Sequence, residues 1–407
     1  MLHEPAVRAR IVRRLLLVAI IAVTGALRPA DAETIVVGPS DGSCPGAIFS
    51  RIQSALDAAV PGSTIAVCPG VYREQLLISK PVQLRATPGA RLQPGRLDAL
   101  ASSFRTGRPV AAGITIRSKA TVAGLAVDVA DNAIATCDGS EPLLAGVFVL
   151  GASATVSGTS VGGARIADAP SGCANGVGIL VQAGGVARVR LDGNSLAGYQ
   201  RAGIVVEGPD VRARVSENVV TGDGATTDRA QTGIEITEGA TARIDGNVVR
   251  DHGGPSGTMC ALDAGIRLAA ARARVRGNQL QSNAVGIDAA SLGHTIAGNT
   301  IDGGAAGFVG ILLAADESRV TTNDLRSHSA AGVRIAGNRN RATANAITNV
   351  HASPGCEAAR ADPACAALLA RCGVGVWLEG RANRVSTTTI GDVDVAVADD
   401  GRGNVVR

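Results

Sequence analysis

The stretch ARIDGNVVRDHGG, residues 242–254, decides the fold. An alternating Ala-Arg-Ile run reaches a glycine and an asparagine, and two valines follow. The same dress returns in ARVSENVVTGDG (213–224), ARVRGNQLQSN (273–283), HTIAGNTIDGG (294–304) and SRVTTNDLRSH (318–328). The recurring asparagines are Asn194, Asn218, Asn247, Asn278, Asn299, Asn323 and Asn345. Their short spacings lie just above twenty residues and the longer ones contain loops, which is the mark of a repeat architecture.

A second motif precedes each block: AGIVV (202–206), TGIEI (232–236), AGIRL (264–268), VGIDA (285–289), VGILL (309–313), AGVRI (331–335) and VGVWL (374–378). Glycine, apolar, variable, apolar is the alternation of a half-buried strand. Each repeat therefore predicts three short strands: the glycine motif, the Ala-Arg-Ile run, and the pair of apolar residues after the asparagine. None folds alone. Stacked coil on coil, they bury a shared interior and pair their backbones about 4.8 Å apart. At the bend, asparagine tolerates a left-handed backbone, and its amide can bond to the asparagine of the next coil. The asparagines are expected to be a structural ladder.

This pattern resembles the right-handed parallel β-helix, or pectate-lyase-like, repeat family, and the repeats over 112–407 carry the resemblance. The segment IFSRIQSALDAAVPGSTIAVCPGVYREQLLISKPVQL is similar to the opening of bacterial exported β-helix proteins akin to the nitrous-oxide-reductase accessory protein. The resemblance implies an all-β, single-stranded right-handed parallel β-helix. Within that opening, Ile48, Ile52, Ala55, Leu56 and Ala59 form one helical face over 48–60, ended by Pro61-Gly62. Such a helix would cover the exposed edge of the first coil.

Before the repeats, four arginines precede the apolar run LLLVAIIAVTGAL (15–27), and Ala30 and Ala32 frame a cut before Glu33. This predicts a signal peptide over 1–32 and an exported domain over 33–407, periplasmic or extracellular. No later segment is apolar enough to span a membrane. The leader holds +3 of the formal charge of +4, leaving the mature chain near +1, which argues against nucleic acid as a partner. Eight cysteines in an exported chain predict disulfides. Cys44 and Cys68, which flank one helix and strand, are expected to pair, and Cys137 and Cys173, in comparable loops of neighbouring repeats, are further disulfide candidates. Cys356, Cys365 and Cys372 share an insertion over 350–373, with Cys260 left over. No metal or other cofactor pattern is read from their spacing.

Three columns of side chains are candidates for function. The residue after each inward isoleucine faces out, placing Glu235, Arg267 and Asp288 on consecutive rungs, with Phe148 and Trp377 toward opposite ends. Five residues after successive asparagines stand Tyr199, Asp223 and His252, beside long loops that precede the glycine strands. In the implied family, substrates lie along the first strand's outer face. A uronate lyase or epimerase needs a base, an acid and a cation for the carboxylate, which Tyr199, Asp223, His252 and Arg267 could supply. Glu235, Arg267, Asp288 and Trp377 would then bind substrate. Four residues before each asparagine stand Arg190, Arg214, Arg243, Arg274, Thr295, Arg319 and Arg341, with Arg384 in the last full repeat. This column is either a solvated strand face or a track for an acidic polymer. Aromatic residues make up 2% of the chain, which disfavours a long neutral-glucan binder. The expected function is binding or processing of carbohydrate, acidic before neutral. A uronate lyase or C5-epimerase and a non-catalytic periplasmic scaffold are the alternatives.

Overall fold

The computed structural model describes residues 32–137, 139, 141–167, 170, 172–224, 230–253, 263–269, 272–361 and 369–407. The expected leader, apart from Ala32, lies outside them, as do Cys260 and Cys365.

Three parallel sheets run the length of the described chain, and each coil contributes one strand to each. Sheet 1 holds thirteen strands of the glycine motif, from Leu76–Ile78 to Val395–Asp399. Sheet 2 holds fourteen strands of the Ala-Arg-Ile type, from Thr34–Val37 to Val405–Val406. Sheet 3 holds the twelve short strands after the asparagine bend, from Gly70–Tyr72 to Thr389–Val393. Among the described residues Ala99–Ser102 alone pairs antiparallel, against the start of the Pro109–Ile116 strand. Inward residues such as Ile234, Ile236, Ile244 and Val249 are fully buried and form one continuous core along the axis. The chain is a right-handed parallel β-helix.

The ladder forms as expected. Asn247 Oδ1 accepts from the backbone N–H of Asn218 at 3.0 Å and from its side-chain amide at 2.9 Å. Asn247 in turn donates to Asn278 Oδ1 through both nitrogens, at 2.9 and 2.8 Å. The pattern runs from Asn194 through Asn323 to Asn345. One detail differs from expectation. The left-handed backbone sits on the residue before each asparagine: Gly193, Glu217, Gly246, Gly277, Gly298 and Thr322 all have positive φ. The asparagine keeps ordinary backbone angles and turns its amide inward. Hence the recurring Gly-Asn: glycine meets the strain and asparagine supplies the bonds.

The glycines of sheet 1 have a different reason, which is space. A Cβ built on Gly233 would lie 2.4 Å from Val249 Cγ1 and 2.5 Å from the carbonyl oxygen of Gly265. Gly203 meets Val220 and Gly233 in the same way. The space a side chain would need at the glycine is taken by the sheet 3 valine and by the backbone of the next coil. Gly233→Ala is expected to destabilise by about 1–3 kcal/mol through overpacking. Equilibrium denaturation checks it, and an unchanged midpoint would contradict this packing.

The predicted first helix is shorter than expected. Helix α1 spans Ile52–Ala58, because Glu74 caps it by accepting from the N–H groups of Ile52 and Gln53 at 2.7 and 3.0 Å. Ile52, Ala55 and Leu56 are buried in the common core, as is Ala59 just beyond, but Ile48 lies outside the helix and is 71% exposed. Disulfides join Cys44 to Cys68 and Cys137 to Cys173, and Cys356 to Cys372 within the insertion. That insertion begins with helix α2, Pro354–Ala361. No helix among the described residues is long and apolar enough to cross a membrane.

Candidate functional site

The outer face of sheet 1 has the predicted register. Phe148, Leu180, Val205, Glu235, Arg267, Asp288, Leu312, Arg334 and Trp377 pair rung to rung. Its two ends are covered. At one end Phe148, Leu180 and Val205 form a buried apolar cluster. Nearby, the 103–105 segment is strapped on by Phe104 N–H donating to Gln182 (2.8 Å) and by Arg105 pairing with Glu207 and Glu238. At the other end Cys356, Ala359 and Leu369 of the insertion pack on Phe308 and Val309. Phe148 and Trp377 are therefore buried, contrary to the expected place on an open groove. Trp377 lies under the Arg334 guanidinium, 4.2 Å from its ring centroid, and its indole N–H donates to Asp400. Between the covered ends, Glu235, Arg267 and Asp288 remain half-buried. Their charges are matched locally: Arg201 with Glu235 at 2.8 Å, Arg267 with Asp288 at 3.8 Å. Burial raises the Asp288 pKa, and Arg267 opposes that shift.

Tyr199 and His252 do meet, but inside the helix rather than at a groove. Their side chains are essentially inaccessible, and the Tyr199 hydroxyl lies 2.5 Å from His252 Nε2. His252 Nδ1 lies 2.8 Å from Asn283 Oδ1, while the Asn283 amide nitrogen donates to the Val249 carbonyl. That amide orientation assigns the imidazole proton to Nδ1, so Nε2 accepts from Tyr199. Asp223 reaches the pair through its charge, which adds to burial in raising the Tyr199 pKa and opposes burial at His252, but its side chain turns outward to Arg165, at 2.6 Å, and to Gln231, at 3.0 Å. The reason is the corner geometry. The chain bulges between Thr221 and Gly224, which shifts the register and puts Gly224 rather than Asp223 opposite His252.

Burial lowers the His252 pKa to about 4, against the help of Asn283, and lowers that of His328 to about 4 as well. His328 is buried with both ring nitrogens unpartnered among the described residues. The unfolded chain takes up these protons near pH 6.5, and the folded chain only near pH 4. The unfolded state thus binds more protons in that window, and stability should fall as pH drops through it. The loss should be on the order of 3 kcal/mol per histidine. Denaturation at stepped pH checks this. His328→Leu should remove its share without cost at neutral pH, and an unchanged acid slope in that variant would contradict the assignment.

Sheet 2 presents the other polar column. Thr155, Arg190, Arg214, Arg243, Arg274, Thr295, Arg319, Arg341 and Arg384 stand in unbroken register. Two residues earlier, Arg188 and Arg212 form a second column, continued by Thr241 and Arg272. A groove enclosing about 1070 Å³ runs over this face from Gln83 to Arg319. Eight arginines and Lys119 line it, and no carboxylate does. The arginines are exposed, and among the described residues only Arg190 of the lining has an ion pair, with Asp192 at 3.0 Å. A hydrogen bond from Ser216 and the arginines beside it hold the Asp192 carboxyl below its usual pKa. Chemically the face is a cationic trough with a floor of small inward residues such as Ala213, Ala242 and Ala273.

Some of these residues were missed in the sequence. Gln83, Thr121 and Thr155 continue the arginine column into the early coils, but those coils lack the asparagine that anchors the count. Thr159 stands there instead and donates its N–H to Asn194. A second ladder, His294, Ser318, Asn340, Asn383 and Asn404, also went unread. Its signal, at His294, Ser318 and Asn340, was a polar residue five positions before Asn299, Asn323 and Asn345.

A family model described as periplasmic copper-binding protein (NosD) matches residues 187–360. A search of curated proteins finds no match. Among solved structures, the A-module of the Azotobacter vinelandii mannuronan C-5 epimerase AlgE6 is similar over 88% of this chain and 93% of its own, with TM-score 0.55 and 15% identity. The Dettilon tailspike protein is similar over 91% of this chain and 68% of its own, with TM-score 0.55 and 14% identity. The DFA-IIIase of Arthrobacter chlorophenolicus A6 is similar over 91% and 93%, with TM-score 0.51 and 13% identity. At these identities the likeness is one of fold.

Proposed function

We propose that this right-handed parallel β-helix protein is an exported binder of acidic polysaccharide and that it binds on the arginine face of sheet 2. The observation that carries this is the trough: among the described residues it is lined by eight arginines and a lysine and by no carboxylate, and ion pairing is confined to Arg190. Guanidinium groups left free at a solvated edge suit the repeated carboxylates of a polyuronate. The epimerase module of similar fold is named for mannuronan, itself a polyuronate, which agrees with that ligand class. Disulfides agree with an oxidising compartment.

Sheet 1 is the weaker candidate. Glu235, Arg267 and Asp288 are available there, but an incoming carboxylate would have to displace Asp288 from Arg267. A binding role also accords better than a catalytic one with Tyr199 and His252, whose reactive atoms face each other in the interior. The family model that matches residues 187–360 is described as copper-binding; among the described residues no group of three or more His, Cys, Asp or Glu is placed to hold a metal ion, and both His252 nitrogens are engaged. The test is calorimetric titration of the mature protein with polygalacturonate, with dextran as the neutral control, at low and high salt. Binding to the acidic polymer that weakens with salt supports the reading. Equal binding to dextran, or none to either polymer, overturns it.

A further inference from the structure

The trough constrains how its ligand lies. This rests on the reading of sheet 2 as a polyuronate surface and adds to it a direction and a repeat. Arg190, Arg214, Arg243 and Arg274 occupy four successive rungs of one column, each directly paired with the next. Parallel strands fix these Cα positions about 4.8 Å apart along the helix axis. Along the strand the next outward residue is two positions away, about 6.7 Å, and there are only two arginine columns in that direction. A polymer running along a strand therefore meets two cations, whereas one running along the helix axis, from strand to strand, meets four in sequence.

We infer that the acidic polysaccharide lies along the helix axis, one sugar per coil, with successive carboxylates on Arg190, Arg214, Arg243 and Arg274. A linked pyranose unit in an extended chain advances by a distance close to one rung, so the comb and the polymer share a period. The floor allows this path. The residues between the two columns face the core and are small, as at Ala213, Ala242 and Ala273, so nothing projects into the line of the chain. The unbound state favours it as well. Like charges stacked on neighbouring strands repel, and a polyanion laid along the column relieves every neighbour pair at once. At Thr295 the column loses its cation before Arg319 resumes it. On the other side it passes into Thr155, Thr121 and Gln83, which offer hydrogen bonds rather than charge. The axial path thus has a charged segment four coils long. The groove lining contains no aromatic residue, so a single-stranded nucleic acid would find no stacking platform there.

The experiment is a length series. Oligogalacturonates from dimer to decamer are titrated into the full mature protein by calorimetry at one ionic strength, with wild type, Arg190→Gln, Arg274→Gln and the double variant. Matching unfolding midpoints establish that these exposed substitutions leave the fold intact. Affinity should rise by about fivefold per added unit up to the tetramer and only slightly beyond it. For the tetramer each single variant should lose one such step, and the double variant two. For the dimer either single variant should change little, because it slides to an intact pair. Affinity that stops rising at the dimer, with end variants that matter alike at every length, would mean that the chain runs along the strands. That result overturns the axial alignment and leaves the binding reading standing. Absence of binding at every length removes both. Tighter binding of single-stranded DNA than of an oligogalacturonate of equal charge assigns the face to nucleic acid and overturns the inference.

Discussion

Replacing Arg214, Arg243 and Arg274 together by glutamine should lower affinity for polygalacturonate by on the order of a hundredfold, taking about 1 kcal/mol for each solvated arginine–carboxylate contact. Glutamine keeps the stem and a hydrogen-bond donor, so the loss reports charge. The wild-type affinity should fall steeply with added salt, and the triple variant's should fall less, because fewer counterions are exchanged. Arg267→Ala on sheet 1 is the comparison. Its guanidinium already faces Asp288 at 3.8 Å, so its removal should change affinity by only about twofold. Calorimetry on the two variants decides between the faces. A large loss with Arg267→Ala and none with the triple variant would move the site to sheet 1.

Asn247→Leu should be the most damaging single change to stability, at about 3 kcal/mol, while leaving polysaccharide affinity unaltered. The side chain is fully buried. Its oxygen takes two hydrogen bonds from Asn218, and its nitrogen donates to Asn278 and to the Val215 carbonyl at 3.0 Å. Leucine matches the volume but strands the backbone N–H of Asn218 in the core with no water to replace the lost partner. Because each coil rests on its neighbours, the defect weakens two interfaces at once. Denaturant unfolding followed by calorimetry on the folded fraction separates the two effects. A variant as stable as wild type would show that the ladder is dispensable, and a folded variant with lost affinity would tie the ladder to binding.

The repeat was legible because its period is local. Asn218, Asn247 and Asn278 recur with the same apolar neighbours, and alternation within AGIVV or ARIDG assigns each side chain to the inside or outside. Both long columns, Glu235–Arg267–Asp288 and Arg190–Arg214–Arg243–Arg274, follow from that assignment alone, and their rung-by-rung pairing is as expected. Asparagine was also recognisable as the ladder residue, although the left-handed angle belongs to the residue before it.

What covers each column was not legible. Phe148 and Trp377 read as outward residues and are outward, yet the strap over 99–108 and the packing of Arg334 bury them. Tyr199, Asp223 and His252 share one offset from the asparagines, but a single bulge after Thr221 sends Asp223 to the surface and leaves the other two facing each other in the core. Sequence by itself determined the coil, its period and the inward or outward sense of the residues within the repeated strand motifs, because these depend on contacts within one or two turns of chain. Only the tertiary structure decided which outward faces stay open and which charges stay free. Those depend on where loops of unequal length fold back, and on whether a carboxylate from another coil comes within reach, as Asp288 does for Arg267 and as no acid lining the trough does for Arg243.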